Sequence, residues 1–370
     1  MPAKMQTALI LSFLFLNIFS LFWAHNLDWG MRKLLFLFSI FPIYFITADL
    51  LKSDFDRISL IKFVVWGAGL SAVIGLIQFS LQFIWGLDNI LNFWRESVAP
   101  AFFGKSFAQA VLAYPSWLVN LDGKTVFRAL SVFPDPHMFS IYLGMALPLA
   151  FGLFQKSTAG IERKKYLFLF LVILLADFLA FSRGGYFGLV TGLLFFLIFI
   201  IWNKKIDLRK IFSALALMLI LLVFIFKSPV GNRFLTSFNT QEGSNAGRLE
   251  TWKEAVNIIE NNPLGIGLGN YSLERKTTAG YREPIYAHNL YLDIAAETGI
   301  INTLIWMALI IFAIISFIKK SKADILWLSG ATSLVIFSAH SFFETAMFST
   351  QILPFLLIII ALSVFKSDEK

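Results

Sequence analysis

The strongest constraint on this chain is a series of apolar stretches, each close to the length of a transmembrane helix. A membrane-spanning helix needs about 20 mostly apolar residues, and ten stretches of the 370-residue sequence approach or exceed that length. They are residues 7–23, 34–51, 59–85, 139–154, 166–181, 186–202, 211–226, 300–318, 325–343 and 352–365. The sequence therefore predicts an all-α polytopic membrane protein with about ten transmembrane helices.

The overall composition narrows the class further. Hydrophobic residues make up 58% of the chain, and the mean hydropathy of +0.73 is far above that of a soluble domain. The chain has no cysteine, which excludes disulfide bonds and thiolate metal sites. The positive excess behind the net charge of +8 lies mainly at the predicted cytoplasmic rim, where anionic lipid attracts it, and nucleic-acid binding gains no support. We therefore expect membrane lipids as partners, and no nucleic acid.

The basic residues predict which ends of the spans face the cytoplasm. Loops on the side of the N-terminus hold most of them, namely Lys4, Lys52, Arg57, Lys62, Lys156, Arg163, Lys164, Lys165, Lys204, Lys205, Arg209, Lys210, Lys319, Lys320, Lys322, Lys366 and Lys370. By the positive-inside rule, both termini are then cytoplasmic. In this topology residues 1–370 form a single integral membrane domain whose two long polar segments, 86–138 and 227–299, are extracytoplasmic.

A tight turn between two predicted spans carries an arginine on the extracytoplasmic side. Arg183 precedes Gly184 and Gly185, and glycines let a ligand approach the backbone closely. A guanidinium group is planar, permanently charged and suited to phosphate oxygens. Arg183 is therefore a candidate to bind phosphate, and an interfacial arginine or one paired with Asp177 is the alternative.

A second arginine lies in the long segment 227–299. A helix is predicted over residues 247–262, with an apolar stripe at spacings of three and four residues. Arg248 projects onto the edge of that stripe and lies in the first turn, where the helix dipole disfavours a cation. Residues that break local rules in this way are expected at functional sites, and the alternative is that Arg248 pairs with Glu250 or Glu254.

All four histidines fall at the extracytoplasmic ends of spans. They are His25, His137, His288 and His340. His288 begins a short amphipathic helix directly before a span, at the end of the longest polar segment. A histidine there can accept a proton from a hydroxyl near neutral pH. His288 is therefore the candidate general base, although imidazoles are also common at membrane interfaces.

Two acidic features suggest other chemistry. Asp54 and Asp56 resemble the metal-binding motif of nucleotide-sugar transferases, but they lie in a cytoplasmic loop where acids are common at a helix start. Asp28 is an isolated carboxylate in the first external loop. We therefore predict neither a metal site nor a cofactor.

Three segments carry a family resemblance. They are FSRGGYFGLV, AGRLETWKEAVNIIENNPLGIGLGNY and YAHNLYLDIAAETGIINTL. In this order they resemble the hallmark segments of the O-antigen ligase/polymerase family, which are bacterial membrane glycosyltransferases of the GT-C type. A looser match, RALSVFPDPHMFSIYLGMALPLAF, extends the resemblance to roughly residues 128–309. The resemblance implies a GT-C-like fold with ten to twelve spans.

The same resemblance implies a reaction. A glycan on undecaprenyl diphosphate would be transferred, without a metal ion, to an acceptor sugar hydroxyl at the outer face of the inner membrane. Matched by position, Arg183 and Arg248 would bind the diphosphate and His288 would be the general base. Arg282 and Arg128 are further candidates to bind the diphosphate.

The identity of the acceptor is left open by these motifs. It would be a lipid-A core sugar if the protein is a ligase, or a growing polysaccharide if it is a repeat-unit polymerase. A transporter or flippase for lipid-linked sugars is the alternative from another functional class, and it would require inverted repeats and discontinuous helices near the middle of the membrane.

Overall fold

Helices joined by short turns make up most of the structure. The computed structural model describes residues 2–113, 116–121, 123–202, 243–278, 280, 285–322 and 324–365. Its α-helices are α1 (Pro2–Phe19), α2 (Leu27–Ile40), α3 (Pro42–Leu50), α4 (Asp54–Trp85), α5 (Leu87–Phe93), α6 (Ala99–Phe103), α7 (Lys105–Ala113), α8 (Pro136–Lys156), α9 (Ile161–Leu179), α10 (Arg183–Trp202), α11 (Gly243–Asn261), α12 (Tyr271–Arg275), α13 (Leu290–Thr298), α14 (Ile300–Lys320), α15 (Ile325–His340) and α16 (Ile352–Leu362). The prediction of an all-α polytopic membrane protein is confirmed.

Most of the predicted spans correspond to these helices. Six helical stretches of the described residues are long and apolar enough to cross a bilayer: Ala3–Trp23, Leu27–Leu50, Asp54–Trp85, Pro136–Lys156, Arg183–Ile201 and Ile300–Lys320. Helices α15 and α16 are shorter apolar helices, and α9 occupies the predicted span 166–181. Each predicted span except 211–226 coincides with one or two helices, and 211–226 lies outside the described residues.

The second predicted span, 34–51, differs from the structure in its bounds. The helical stretch begins earlier, at Leu27, because the side chain of Asn26 caps α2 by accepting a hydrogen bond from the Trp29 backbone N–H at 3.1 Å. The stretch is divided at Phe41, where Pro42 begins α3. Proline is favoured at the first position of a helix because an N–H there has no partner within the helix, so its absence costs no hydrogen bond.

Helix α8 is the central helix of the bundle, in contact with α4, α9, α10, α15 and α16. Its backbone lies so close to α15 that a Cβ on Gly152 would clash with the Ser329 hydroxyl, at 2.4 Å. The Ser333 hydroxyl of α15 also donates a hydrogen bond to the Met145 carbonyl at 2.7 Å. Small and polar contacts of this kind hold helices together in a membrane, where the hydrophobic effect between helices is weak.

The segment 86–138 contains more structure than the sequence predicts. It has three short helices, α5 to α7, and an antiparallel hairpin of β1 (Leu118–Leu121) and β2 (Lys124–Phe127), with Leu118 opposite Phe127. The hairpin is absent from the predicted all-α architecture. The stretch 102–117 is apolar enough for an interfacial helix, and its described part contains the end of α6 and all of α7.

Two glutamines of α4 attach the end of this hairpin to the bundle. The side chain of Gln82 exchanges two hydrogen bonds with the Phe127 backbone, at 2.8 and 2.9 Å. Gln78 accepts from the Leu130 N–H at 2.9 Å and donates to the Arg128 carbonyl at 3.0 Å. The two amides thus replace a neighbouring strand, and they fix the backbone on both sides of Arg128.

The glycine-rich turn after α11 is fixed against α13. Ile266 N–H donates to the Ala296 carbonyl and Gly267 N–H to the Glu297 carbonyl, both at 2.9 Å. Gly265 has a φ of +86°, and a Cβ there would lie 2.5 Å from the Glu297 carbonyl oxygen. Only glycine therefore permits this close approach to α13.

Candidate active site

Arg183 begins α10, directly after the turn that joins it to α9. Phe181 in this turn has a φ of +49°, a left-handed backbone that is uncommon for a residue with a Cβ. A Cβ on Gly185 would lie 2.0 Å from the Ser140 hydroxyl, and one on Gly184 would lie 2.6 Å from the His340 ring. The two glycines therefore make room for protein side chains that pack against the turn. The sequence analysis expected them to make room for a ligand.

Arg128 is buried beneath the same turn. Its guanidinium group donates to the carbonyls of Ala180 at 2.8 Å, Phe181 at 3.0 Å and Ser116 at 2.8 Å. Charged hydrogen bonds of this kind are stronger than neutral ones. Arg128 therefore joins the end of the hairpin segment to the turn that precedes Arg183, and it adds a fixed positive charge at this place.

Arg248 lies in the second turn of α11, because the described helix begins at Gly243 and not at residue 247. The expectation that Arg248 opposes the helix dipole in the first turn is therefore wrong. Helix α11 packs on α13 through a small cluster that includes Ala255 and Ile258. This packing brings Arg248 to the cavity described next, more than 60 residues along the chain from Arg183.

The three arginines line one cavity. Its volume is about 210 Å³, and its lining residues are Ser116, Leu118, Arg128, His137, Phe181, Arg183 and Arg248. Among these lining residues, which all belong to the described part of the chain, none is acidic. Three of the four arginines that the sequence singles out therefore meet in one place. The fourth, Arg282, lies outside the described residues.

His288 precedes α13 and is held in an unusual backbone conformation. Its φ is +51°, and the next residue, Asn289, caps α13 by accepting from the N–H groups of Tyr291 at 3.1 Å and Leu292 at 3.2 Å. The His288 Nδ1 atom lies 3.2 Å from Glu344 Oε1. The imidazole is 39% exposed and the carboxylate 9%. One ring nitrogen is thus bound to a buried acid, and Nε2 is the nitrogen left for a substrate.

The charges of this pair reinforce each other. The negative charge of Glu344 raises the pKa of His288 above its ordinary value, against the effect of burial. Burial opposes ionisation of Glu344, but the charges of His288, His137 and Arg248 outweigh burial and hold the pKa of this carboxyl below its usual range. The pair therefore lies within electrostatic range of the arginine cavity.

His137 connects the cavity to a second histidine. Its Nδ1 atom lies 3.0 Å from the Ser182 hydroxyl, which is in turn 3.3 Å from Nε2 of His340. Asp135 caps α8 by accepting from the N–H of His137 at 2.7 Å, and burial raises the pKa of Asp135 to about 6. His137 lines the arginine cavity and is linked through Ser182 to His340, whereas His25 is not among the lining residues.

The acidic residues in the loop before α4 have a structural explanation. Ser53 and Asp56 form a reciprocal cap at the start of α4, and Asp54 lies 3.0 Å from Arg57. Within the described residues, no group of three or more His, Asp or Glu side chains is arranged to hold a metal ion. The resemblance of Asp54 and Asp56 to a nucleotide-sugar motif is therefore explained by helix capping.

Glu344 is the site residue that the sequence analysis missed. It is 56 positions from His288, in the connection between α15 and α16, and it has no acidic neighbour. The available signal was its position. It is a lone carboxylate just after a predicted span, at the end that the sequence predicts to be extracytoplasmic, four residues after His340.

Comparisons with known proteins give two matches. A family model described as O-antigen ligase matches residues 167–307. The chain is 24% identical over 275 residues to an O-antigen polymerase of Salmonella muenchen. Both matches support assignment to the O-antigen ligase/polymerase family. The match to the Salmonella relative covers 72% of this chain and 63% of the length of that protein.

The part of the chain that matches the O-antigen ligase model contains only some of the site. Arg183, Arg248 and His288 lie within residues 167–307, whereas Arg128, His137 and Glu344 lie outside them. Of these three, Arg128 is already a candidate from the sequence, whereas the contacts of His137 and Glu344 with the site are found from the structure.

Proposed function

We propose that this protein is a membrane glycosyltransferase that moves a glycan from undecaprenyl diphosphate to the hydroxyl of an acceptor sugar. The observation that carries the proposal is the convergence of Arg128, Arg183 and Arg248 on one cavity. A histidine paired with a buried carboxylate lies within electrostatic range of that cavity. Similarity to the O-antigen ligase model and to an O-antigen polymerase supports the same class of substrate.

The arginines have the charge and geometry that a diphosphate requires. Cleavage of the bond between a sugar and a diphosphate leaves negative charge on the departing oxygen. Fixed guanidinium groups stabilise such charge in the transition state without reorganisation. Arg183 and Arg248 would bind the phosphate oxygens directly, because a planar guanidinium forms paired hydrogen bonds with them. Arg128 would contribute mainly its charge and the position of the turn, and Arg282 remains a further candidate.

His288 would act as the general base. Because Glu344 occupies Nδ1, Nε2 is available to accept the proton of the acceptor hydroxyl. The acceptor oxygen then forms a bond with the anomeric carbon of the donor, and the bond from that carbon to the diphosphate oxygen breaks. Undecaprenyl diphosphate leaves with the bonding electrons, and the proton stays on His288 until it passes to water.

The reaction would take place at the extracytoplasmic face of the inner membrane. The distribution of lysine and arginine in the short loops supports cytoplasmic termini, and segments 86–138 and 227–299 would then be external. The second of these carries Arg248 and ends directly after α13. The donor would be presented from the outer leaflet, with its lipid tail beside the helices.

Ligation to a lipid-A core and polymerisation of repeat units are both compatible with these groups. We propose ligation first, because the matching family model is described as O-antigen ligase. Polymerisation is the second candidate, since the Salmonella relative is named as a polymerase. The two reactions differ in the acceptor and share the donor and the base.

The test is a transfer assay with the purified protein in lipid nanodiscs. Undecaprenyl-diphosphate-linked repeat units would be supplied with and without lipid-A core oligosaccharide. Product that forms only with the core indicates ligation, and longer chains without it indicate polymerisation. If the protein reconstituted in proteoliposomes moves the lipid-linked donor across the bilayer, and neither condition of the transfer assay releases undecaprenyl diphosphate, the result would contradict the glycosyltransferase proposal in favour of a transporter.

A further inference from the structure

A closed ring of hydrogen bonds and chain bonds connects His288 to Glu344 through a second acidic residue, Asp293. Ala287 N–H donates to Asp293 Oδ1 at 2.9 Å, and the Thr345 hydroxyl donates to Asp293 Oδ2. The Thr345 N–H donates to Glu344 Oε1 at 3.3 Å. The same Glu344 oxygen lies 3.2 Å from His288 Nδ1, so the ring returns to its start.

We propose that Asp293 is a positioning residue for the His288–Glu344 pair. Its two carboxylate oxygens bind the residue just before His288 and the residue just after Glu344. The two members of the pair come from segments that are 56 positions apart in the chain. Asp293 therefore acts on both of them through backbone neighbours, without contact with a substrate. This inference rests on the proposed role of His288 as general base.

The backbone at His288 needs such support. A φ of +51° is a conformation that a residue with a Cβ seldom adopts without support from surrounding contacts. Ala287 on one side is bound by Asp293, and Asn289 on the other side caps α13. Loss of the first of these anchors would let the backbone relax and turn the imidazole away from Glu344.

The second segment is also held at two points. The Leu290 N–H donates to the Ser341 carbonyl at 2.9 Å, and Thr345 donates to Asp293. These contacts lie on either side of Glu344 along the connection from α15 to α16. The carboxylate thus approaches His288 from a segment that is fixed before and after it.

Asp293 is buried, and a neighbouring acid has its own cation. Burial raises the pKa of Asp293 to about 6, while the hydrogen bonds from Thr345 and Ala287 oppose the shift. Glu297, one turn later on α13, is bound by the Lys33 ammonium at 2.7 and 2.9 Å. The Lys33 ammonium therefore binds Glu297, and both carboxylate oxygens of Asp293 accept hydrogen bonds within the ring.

The first test compares two substitutions of Asp293 in the purified, nanodisc-embedded protein. Asp293→Asn can keep both contacts, because its oxygen accepts from Ala287 N–H and its NH2 group donates to the Thr345 hydroxyl. Asp293→Ala removes both. We expect kcat for glycan transfer to fall about 10²-fold in the alanine variant, as for a catalytic group misplaced by about 1 Å. The asparagine variant should stay within about threefold of wild type, and KM for the lipid-linked donor should be unchanged in both.

A second pair of variants protects the test against a folding defect. Thr345→Val removes the hydroxyl with little change of shape, and Thr345→Ser keeps it. We expect the valine variant to lose about tenfold in kcat, and the serine variant to recover most of it. The two Thr345 variants should bind undecaprenyl diphosphate equally well, because Thr345 does not line the arginine cavity.

The outcomes separate this inference from the proposed function. Equal activities of the Asp293→Asn and Asp293→Ala variants, or wild-type kcat in Thr345→Val, would overturn the positioning role. If Asp293→Ala does not fold, the Thr345 pair decides the question alone. Full transfer activity of a His288→Ala protein would instead remove the general base, and with it the proposed mechanism, whatever the Asp293 variants do.

Discussion

Two groups of charged residues at opposite ends of α15 use arginine in different ways. Before the first residue of this helix, Asp324 accepts from the Arg57 guanidinium at 2.9 Å and from the Lys156 ammonium at 2.5 Å. Arg57 is only 3% exposed and lies 4.2 Å from the centre of the Trp327 ring. Its charge is therefore matched by a carboxylate and covered by an aromatic face.

At the other end of α15, arginine charges surround an open space. Arg128, Arg183 and Arg248 line a cavity of about 210 Å³ whose described lining residues include no acid. A buried cation that is closely paired serves to hold elements together, whereas several cations around a cavity are suited to an anion that enters it. The comparison places Arg57 in the fold and supports the proposal that Arg183 and Arg248 bind an anionic ligand, while Arg128 holds the turn and adds its charge.

The largest expected effect is the loss of the general base. His288→Ala should reduce the rate of glycan transfer about 10²–10⁴-fold, the usual contribution of a positioned base. The matched control is His25→Ala, since His25 is exposed and lies apart from the cavity. The rate of glycan transfer is measured for both variants with detergent-purified protein. If the His288→Ala protein transfers glycan as fast as the His25→Ala control, His288 is not the general base.

The cavity arginines should come next. Arg183→Lys and Arg248→Lys keep the charge but lose the planar fork, so we expect transfer to fall about 10²–10³-fold. Weaker binding of undecaprenyl diphosphate should accompany the loss. Arg275→Lys is the control, because Arg275 forms an ion pair with Glu254 away from the cavity. Retention of wild-type donor binding in both cavity variants would contradict the assignment of these arginines to a ligand.

The sequence predicted the helical bundle and part of the site because both have local signals. Apolar runs of span length identify the helices. Arg183 is marked by its place in a tight turn, and His288 by its place before a helix and a span. The family motifs then connected Arg183, Arg248 and His288, which the structure places at or within electrostatic range of one cavity.

The remaining features depend on contacts between distant parts of the chain. Glu344 is a single carboxylate at the end of a span, and only its 3.2 Å approach to His288 reveals its role. The β1–β2 hairpin depends on Gln82 and Gln78 of α4, whose side chains complete its hydrogen bonds. Neither relation follows a sequence period, and so neither was predictable from spacing.

The opposite end of α15 gives a prediction about stability. Arg57→Ala removes the closest guanidinium from the partly buried Asp324, which keeps Lys156. We expect the free energy of unfolding to fall by about 2–3 kcal/mol, the contribution of a hydrogen bond to a charged group together with lost packing. Thermal unfolding in detergent measures the loss, and Lys164→Ala, an exposed lysine of α9, is the control. The rate of transfer per folded molecule should stay at the wild-type level. A specific loss of catalysis would mean that Arg57 has a role beyond the fold, contrary to the contrast drawn between the two ends of α15.

The smallest effect concerns the pH dependence of transfer. A general base must be unprotonated, so activity should rise with pH through the pKa of His288, which Glu344 raises above the ordinary value. Glu344→Gln keeps an oxygen that can accept from Nδ1 but removes the negative charge. The pKa of His288 should then fall, because Arg248 lowers it and of its charged neighbours only Asp293 still raises it.

The acidic limb of the pH–rate profile of kcat should therefore move to lower pH in Glu344→Gln, with a modest decrease at its plateau. Glu344→Ala loses the hydrogen bond as well, so the plateau should fall further while the limb moves in the same direction. A limb that stays in place in both variants would mean that the titrating group is not His288. A limb that moves to higher pH would mean that Glu344 affects catalysis through a group other than this imidazole, because loss of a nearby negative charge lowers the pKa of a histidine.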